Sequence, residues 1–172
     1  MTDVLEHTVM EAPWGPLGLV LRNRRLTAVA LVADASFPGA LEDRHGVASA
    51  VAPAALAPVV DGLRAYFSGS RAPLEMELDW DQGTPFQQAV WRAMTRVPYG
   101  CTVTYGGLAK TVGRPGGAQA VGRAAGANPI PVVVPCHRVV AGDGDLGGFT
   151  GGLDIKKRLL ALEGSWSTRL PF

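Results

Sequence analysis

The sequence has few cysteines and no long apolar run. Only Cys101 and Cys136 occur among 172 residues, so a disulfide framework is not expected and a reducing cytoplasm is the natural setting. No stretch approaches the roughly 18 apolar residues of a membrane span, and no secretory signal opens the chain. These absences predict a cytoplasmic protein that contacts no membrane. We also expect a compact monomer.

Metal-ligating residues are also scarce. The cysteines and histidines lie at positions 7, 45, 101, 136 and 137 and lack any paired ligand spacing. Structural zinc sites need such pairs. We therefore expect no metal and no other cofactor.

Net charge is small, at +1 for the whole chain, but it is unevenly distributed. Residues 1–82 contain 6 Lys/Arg against 11 Asp/Glu, whereas residues 83–164 contain 9 against 4. Such asymmetry is typical of a module that faces a polyanion, although a solvated basic face gives the same count. We place a domain boundary here, which divides the chain into 1–82 and 83–172.

In the first domain the clearest pattern is a hairpin. Two apolar runs, Leu17–Leu21 and Leu26–Val32, are joined by a polar turn. Residues 33–58 show no sustained periodicity, so we expect a loop there with at most a short helix. A helix that includes Val59–Phe67 follows, and Gly69 can end it in a left-handed conformation.

The second domain has clear helix signals. Thr84, Pro85 and Gln87 predict an N-cap, a first-turn proline and a capping-box partner. A second helix is expected from about Tyr105 to Gly113, and a third from Ala118 to Ala127. Together these last two helices predict a helix-turn-helix.

The third of these helices, 118–127, carries small residues at most positions. A recognition helix usually carries long side chains into the major groove, whereas Ala and Gly allow a helix to approach a backbone closely. A plain packing helix in a tight core produces the same pattern. Both interpretations stay open at this point.

Cys136 follows the apolar run Val132–Val134, which we expect to be a short strand, and precedes His137 and Arg138. A neighbouring base or cation favours the thiolate, the reactive form of cysteine. Adjacent strand residues point to opposite faces, so a Cys-His pair requires a turn, which Pro135 permits. The alternative is a small buried thiol without chemistry.

Residues 147–152 form a glycine-rich loop that precedes the last predicted helix, Leu153–Glu163. Backbone amides of such a loop can bind phosphate. The sequence lacks the GKS or GKT ending and the strand-GxGxxG-helix context of nucleotide sites. We therefore expect a pocket wall for a flat ligand.

The last helix has two predicted faces. Ile155, Leu159 and Leu162 predict the core face, whereas Lys156–Arg158 predict a solvated face. Glu163 places a carboxylate in the last turn, where it opposes the helix dipole. That unfavourable position invites a functional explanation.

Motifs of the second domain follow one another in a specific order. They are Thr84-Pro85-Phe86, Val97-Pro98-Tyr99-Gly100, Thr104-Tyr105, Ala120-Val121-Gly122, Asn128-Pro129, Pro135-Cys136-His137-Arg138-Val139 and the GGFTGGL run at 147–153. This series resembles the O6-alkylguanine-DNA alkyltransferases over about residues 83–164, and PCHR followed by GGL is highly specific. The first domain resembles them only through Tyr66-Phe67-Ser68-Gly69.

The resemblance implies an α+β fold. Residues 1–82 would form an RNase H-like domain of sheet and helix. Residues 83–172 would form a helical domain that binds alkylated double-stranded DNA through a helix-turn-helix in the minor groove.

The resemblance also implies DNA repair in a single turnover. Cys136 would displace the alkyl group from O6 of guanine, or O4 of thymine, and keep it. His137 would take the thiol proton through a water molecule, positioned by Glu163, while Asn128 would brace the turn that holds the cysteine. Tyr105 would donate to the ring nitrogen and help rotate the nucleotide out of the stack.

Two sets of binding residues follow from the resemblance. Val139, Phe149, Thr150 and Gly151 would contact the base. Thr104, Ala118, Gln119, Ala120, Gly122 and Arg123 would contact DNA, the small residues allowing close approach in the minor groove.

This sequence departs from the family at one DNA-binding position. Where the family places an arginine that inserts into the base stack, this chain has Gln119, which brings neither a cation nor a stacking plane. Weaker duplex binding or base flipping is expected. N-terminal cysteines are absent too, so the zinc site of some relatives is not expected.

Two other functions stay open. One is a recognition module, like the alkyltransferase-like proteins that bind alkylated guanine without transfer; those lack the reactive cysteine, whereas Cys136 is present here. The other is an alkyl acceptor for a non-duplex or small-molecule substrate, suggested by Gln119 alone. Cys101 is expected to be structural rather than catalytic.

Overall fold

The chain folds into two compact units, Met1–Asp81 and Gln82–Phe172, in a computed structural model that describes residues 5–46 and 49–165. The first unit combines a sheet with two helices and the second is mainly helical, which confirms the predicted α+β class. Within the described residues, no helix combines the length and the apolar character that crossing a membrane requires.

The first unit contains a four-stranded sheet in the order β3-β2-β1-β4. Its strands are β1 (Leu5–Ala12), β2 (Gly15–Arg22), β3 (Arg25–Ala30) and β4 (Ser49–Val51). The predicted hairpin is confirmed as β2 and β3, which pair antiparallel. Its two turn residues, Asn23 and Arg24, have φ of 51° and 67°, the left-handed pair that matches the twist of the flanking strands.

Two helices, α1 (Phe37–His45) and α2 (Pro53–Phe67), complete this unit. The expectation of a loop over residues 33–58 was therefore wrong except for its short helix, because α1, β4 and the first turns of α2 lie there. The sequence signal was weak because α1 buries only Phe37 and Leu41. Gly18 of β2 admits the Phe37 ring, since a Cβ at Gly18 would lie 2.3 Å from it.

The second unit contains four helices in its described part. They are α3 (Pro85–Met94), α4 (Tyr105–Thr111), α5 (Ala118–Gly126) and α6 (Leu153–Leu162). The predicted capping box is confirmed: Thr84 Oγ1 accepts from the Gln87 N–H at 3.2 Å, and the Gln87 side chain accepts from the Thr84 N–H at 2.8 Å. The residues 112–117 join α4 to α5, as the helix-turn-helix prediction requires.

Two short parallel strands bring the start of α4 next to the segment that contains the cysteine. Strand β5 (Val103–Thr104) leads directly into α4, and β6 (Val139–Val140) follows a 3-10 helix formed by Cys136–Arg138. The turn expected at Cys136 is therefore confirmed. The strand expected at Val132–Val134 was wrong: Pro131 and Val134 form an isolated bridge around a turn, and Val132 has φ of 74°.

Candidate active site

Cys136 lies at the wall of a pocket of about 810 Å³ in the second unit. The pocket is lined by residues from α4, α5, the 3-10 helix and the glycine-rich loop: Tyr105, Ala118, Gln119, Gly122, Arg123, Ala125, Gly126, Cys136, Gly148, Phe149 and Thr150. The lining is mainly apolar, which suits a flat aromatic ligand held by a few polar groups.

The Cys136 thiol is 6% exposed, and burial raises its pKa. The Asn128 side chain, the Lys156 charge and the backbone N–H groups of Cys136 and His137 act in the opposite direction. Burial disfavours the charged thiolate, whereas donors and cations favour it. The thiol is therefore held protonated at rest, in surroundings that accept charge when a base removes the proton.

Asn128 holds the turn that delivers the cysteine. Its Nδ2 donates to the Val134 carbonyl at 2.8 Å, and its Oδ1 accepts from the Ile130 N–H at 3.0 Å. Both bonds are buried, where an unpaired amide would be costly. The left-handed Val132 lies between these two contacts, so the side chain of Asn128, just after the end of α5, fixes the path into Cys136.

His137 is fully buried and faces Glu163, with 2.7 Å between Nε2 and Oε1. Arg138 Nε donates to Oε2 and its Nη2 donates to Oε1, each at 2.9 Å. The Gly100 N–H adds a longer bond to Oε2 at 3.3 Å. Paired in this way, the Glu163 carboxylate is held ionised, because a bidentate arginine favours the charged form.

These contacts determine which His137 nitrogen can act as a base. An ionised carboxylate can only accept, so Nε2 carries the proton that it donates to Glu163. The other nitrogen, Nδ1, is buried and has no hydrogen-bond partner among the described residues. Burial lowers the pKa of His137, while the Glu163 contact opposes that change. His137 is therefore a neutral imidazole with a free lone pair at Nδ1.

Tyr105 begins α4 and forms part of the pocket lining. Its hydroxyl donates to the Gly148 carbonyl over 3.4 Å, a long bond that a ligand can replace. Burial raises the pKa of this phenol, so it stays a proton donor. Gly147 permits this position, since a Cβ there would lie 2.6 Å from the Tyr105 ring.

The glycine-rich loop is confirmed as a pocket wall. Gly148, Phe149 and Thr150 face the cavity, and Thr150 Oγ1 donates to the Gly126 carbonyl at the end of α5 over 2.8 Å. This bond ties the loop to the helix that forms the opposite wall. Gly151 lies beside these residues and is not part of the lining in the described part of the chain.

Five of the six predicted DNA-contact residues lie on α5, on two of its sides. Ala118, Gln119, Gly122 and Arg123 line the pocket, whereas Ala120 faces a shallower groove that Arg123 also reaches. Thr104 caps α4, accepting from the Gly107 N–H at 3.0 Å. The structure thus brings five of the six residues to the two faces of one helix and places the sixth at the start of its neighbour.

Val139 is fully buried behind the cavity rather than in its lining. Its carbonyl accepts from Lys156 Nζ at 2.7 Å. A base-contacting role for this residue thus stays a prediction and would need its backbone.

Lys156 corrects the prediction of a solvated Lys156–Arg158 face. Its side chain is 0% exposed, although Lys157 and Arg158 are exposed as expected. The core face is also shifted, since Leu160 is buried and Leu162 only half-buried. A signal was present in the sequence: Lys156, Leu160 and Glu163 stand at helical spacing and so share one face of α6.

Cys101 is exposed. It does not pack into a core, so the expectation of a structural role there was wrong. In the part of the chain that the structure describes, no three His, Cys, Asp or Glu side chains are grouped as a metal ion would require.

Both units match domains of one kind of protein. Residues 85–165 match the DNA binding domain of 6-O-methylguanine DNA methyltransferase, and residues 5–80 match its ribonuclease-like domain. Together with the buried cysteine and the helix-turn-helix, these matches define the class: a DNA-binding methyltransferase with a cysteine at its active site.

Individual relatives narrow the class. The chain is 44% identical over 160 residues to the methylated-DNA–protein-cysteine methyltransferase of Mycolicibacterium paratuberculosis, covering 93% of each protein. It superposes on the crystal structure of Mycobacterium tuberculosis OGT in complex with DNA with a TM-score of 0.80 and 40% identity, over 93% of each chain. A second structure, Mycobacterium tuberculosis O6-methylguanine methyltransferase, gives a TM-score of 0.79 at 37% identity over 96% of each chain. The chain therefore belongs to the 6-O-methylguanine DNA methyltransferase family.

Proposed function

We propose that this protein repairs DNA by moving an alkyl group, chiefly methyl, from O6 of guanine to Cys136, once per molecule. The observation that carries the proposal is the buried Cys136 thiol in the 810 Å³ pocket beside a neutral His137. O4-alkylthymine is a second substrate of the same chemistry. Residues 1–82 serve as the ribonuclease-like domain and residues 83–172 as the DNA-binding and catalytic domain.

The transfer is a displacement in which every proton has a destination. The thiol proton passes through a water molecule to His137 Nδ1, and Glu163 stabilises the imidazolium that forms. The sulfur forms a bond to the alkyl carbon as the bond from that carbon to O6 breaks. The electron pair stays with guanine, and Tyr105 donates a proton to the ring nitrogen of the leaving base. The proton held by the His137 imidazolium then returns through solvent to the Tyr105 phenolate, so that the net change is a thioether at Cys136 and a neutral guanine.

The product explains why the reaction stops after one turnover. Removing the methyl group from the thioether would require the Cys136 thiolate to leave, and because a thiolate is a poor leaving group from a neutral thioether, the transfer is not reversed. The other cysteine of the chain, Cys101, is exposed, whereas Cys136 is buried. Exposure does not bring the Cys101 thiol to the buried Cys136 sulfur, so we assign Cys101 no part in the transfer.

The base must leave the duplex to reach the sulfur. We place α5 in the minor groove, where the small side chains of Ala118 and Gly122 would let the helix approach the backbone. Phe149 would cover the face of the extruded base, and backbone groups of Val139, Thr150 and Gly151 would read its edge. Thr104 and Ala120 would contact the flanking backbone.

Gln119 and Arg123 stand one helical turn apart on α5 and both line the pocket. Gln119 can hydrogen-bond the orphaned partner base, but it brings no charge. Arg123 supplies a cation next to it, and no ion pair of Arg123 is found in the described residues. Duplex binding should therefore depend on Arg123 more than on Gln119.

Intact-mass measurement tests the proposal. After incubation with a duplex that contains O6-methylguanine, the protein should gain the mass of one methyl group, and peptide mapping should place it on Cys136. The Cys136→Ala variant should gain nothing while still binding the duplex. The matched variant Cys101→Ser should be methylated like the wild type.

The same measurement separates the other two functions. Tight binding of the methylated duplex without an adduct would replace transfer by recognition alone. An adduct with free O6-methylguanine but none with duplex DNA would instead assign a small-molecule substrate, the possibility that Gln119 raises.

We also propose that the protein is a monomer and works in the cytoplasm. The two free thiols support the cytoplasmic location, because a reducing compartment keeps cysteines unpaired. Light scattering on the purified protein should give the mass of one chain with or without a short duplex. A dimer mass without DNA would contradict the monomer.

A further inference from the structure

Lys156 is the one fully buried lysine in the described residues, and the alkyl transfer proposed above leaves it without a role. Its ammonium donates to three backbone carbonyls: Val139 at 2.7 Å, Gly148 at 3.1 Å, and Leu146. An ammonium has three N–H donors. All three are used, so Lys156 makes no hydrogen bond to the sulfur and can act on it only through its charge.

The three carbonyls come from two segments beside the pocket. Val139 belongs to β6, directly after the 3-10 helix of Cys136, whereas Leu146 precedes the glycine-rich loop and Gly148 is the residue of that loop that also lines the pocket. The Gly148 carbonyl also accepts from Tyr105, whose ring centroid is 6.0 Å from Nζ. Lys156 thus links the segment after Cys136 to the glycine-rich loop, and through the Gly148 carbonyl it also lies next to Tyr105. All three surround one positive charge.

The titratable groups that face this ammonium are Cys136, Asp145, His137 and Tyr105. A thiolate at Cys136 and the Asp145 carboxylate both favour the charged lysine, and the lysine in turn lowers the pKa of His137. Asp145 lies in an exposed turn, where solvent screens its charge. Cys136 is the only one of the four that is buried and becomes an anion during the reaction.

We propose that Lys156 is a positioning residue whose buried ammonium stabilises the Cys136 thiolate as it forms and holds the pocket wall around it. The inference rests on the proposed transfer to Cys136. During the displacement the sulfur carries negative charge after its proton has left and before its bond to carbon is complete. A cation in a low-dielectric site stabilises that charge without moving. The same charge keeps His137 neutral at rest, and the Glu163 carboxylate offsets its effect when the imidazolium forms.

Protonation of Lys156 and its carbonyl contacts depend on each other. Burial lowers the pKa of Lys156 to about 8. A neutral amine has only two N–H groups, so above that pH one carbonyl loses its partner and the sulfur loses the cation. Because the coupling between two sites is reciprocal, the thiolate must raise the pKa of Lys156 by as much as Lys156 lowers that of the thiol.

The first test uses thiol reactivity without DNA. In a Cys101→Ser background, iodoacetamide reports Cys136 alone, and its rate against pH gives the thiol pKa. Lys156→Met keeps the length and volume of the side chain but removes the charge. Below about pH 8, where Lys156 is charged, we expect its loss to raise the thiol pKa that governs the rate by about one unit, so that the rate there falls about tenfold.

Two further variants control this test. Lys157→Met removes the neighbouring exposed lysine and should leave the thiol pKa unchanged, while Lys156→Arg retains the charge and should recover part of the reactivity. The proposal would be overturned if the thiol pKa were the same in Lys156→Met and in the parent protein. Any slower methyl transfer in the variant would then come from local unfolding of the loop, and the role of Lys156 would be purely structural.

The second test leaves Lys156 in place. With lysine side chains labelled for NMR, the Lys156 resonance should titrate at lower pH in Cys136→Ser than in the wild type, because serine cannot supply the anion. Equal titration midpoints would also refute the coupling. Both tests omit DNA, so a protein that fails to accept methyl from a duplex can still pass them, which separates this inference from the proposed function.

Discussion

At the scale of single residues, the two thiols of this chain have opposite surroundings. Cys101 is exposed, whereas Cys136 is buried and its pKa is raised. At pH 7.5 we therefore expect iodoacetamide to label Cys101 first in the protein without DNA, while methylated duplex labels only Cys136. Peptide mapping after each treatment checks this reversal of selectivity.

This reversal of labelling order distinguishes two ways of activating the Cys136 thiol. In one, a base removes the proton during the reaction; in the other, a low pKa keeps the thiol ionised at rest. If Cys136 carried a stable thiolate at rest, it would react first with both reagents. Preferential labelling of Cys136 by iodoacetamide would therefore contradict the protonated resting state described above.

The Glu163 carboxylate accepts hydrogen bonds from His137, Arg138 and the Gly100 N–H. The change Glu163→Gln removes the charge that pairs with Arg138 and supports the imidazolium of His137. Breaking a buried ion pair from one side costs about 3 kcal/mol, and His137 becomes a weaker base. We expect a lower melting temperature and a transfer rate reduced by about a hundredfold, within the range typical of general-base catalysis.

A matched carboxylate provides the control. Asp154 lies on the same helix and is exposed, so Asp154→Asn should change neither the melting temperature nor the single-turnover rate appreciably. A Glu163→Gln protein that is less stable but transfers methyl at the wild-type rate would assign Glu163 to stability alone.

At the scale of elements, two glycines near Tyr105 tolerate a methyl group differently. At Gly147, φ is 68° and a Cβ would lie 2.6 Å from the tyrosine ring, whereas at Gly122 the nearest ring atom is 3.8 Å away. Gly147→Ala should displace the ring and lower both stability and transfer rate. Gly122→Ala should preserve the fold, and the gain in helix propensity is about 1 kcal/mol.

Gly122→Ala nevertheless adds bulk to the face of α5 that we place against DNA. We expect weaker binding to duplex, measured by fluorescence anisotropy, with an unchanged or raised melting temperature. Binding equal to the wild type would show that α5 does not approach the backbone closely, and would favour the simple packing helix as the reason for its small residues.

Elements were predicted best where their signals are local. Thr84 and Thr104 begin helices because their side chains satisfy N–H groups three residues ahead. The strand predicted for Val132–Val134 was wrong because the apolar character of this run reflects burial in the turn held by the Asn128 side chain, not pairing in a sheet. Periodicity cannot separate these two causes in a segment of three residues.

At the scale of the whole molecule, the acidic first half and the basic second half predict which residues make duplex binding depend on salt concentration. Each phosphate contact adds about 0.9 to the slope of log affinity against log salt concentration. Arg123→Ala should therefore reduce the slope by about one, and Gln119→Arg should increase it by about one while tightening binding. Titrations of duplex binding at several salt concentrations measure both.

Arg44→Ala serves as the control, because it removes one cation from the acidic first unit. Its slope should equal that of the wild type. An equal loss from Arg44 and Arg123 would mean that the first unit also contacts the phosphates, and an unchanged affinity in Gln119→Arg would refute the role given to position 119.

The order of motifs, the helix caps and the turn at Cys136 were determined by the sequence itself, because each depends on residues within a few positions of one another. Burial and charge were decided by the tertiary structure. His137 meets Glu163 across 26 positions, and Arg138 meets Val97 across 41. Lys156 changes from a surface residue to a buried cation only when three distant carbonyls surround it, since desolvation and electrostatic fields depend on neighbours in space.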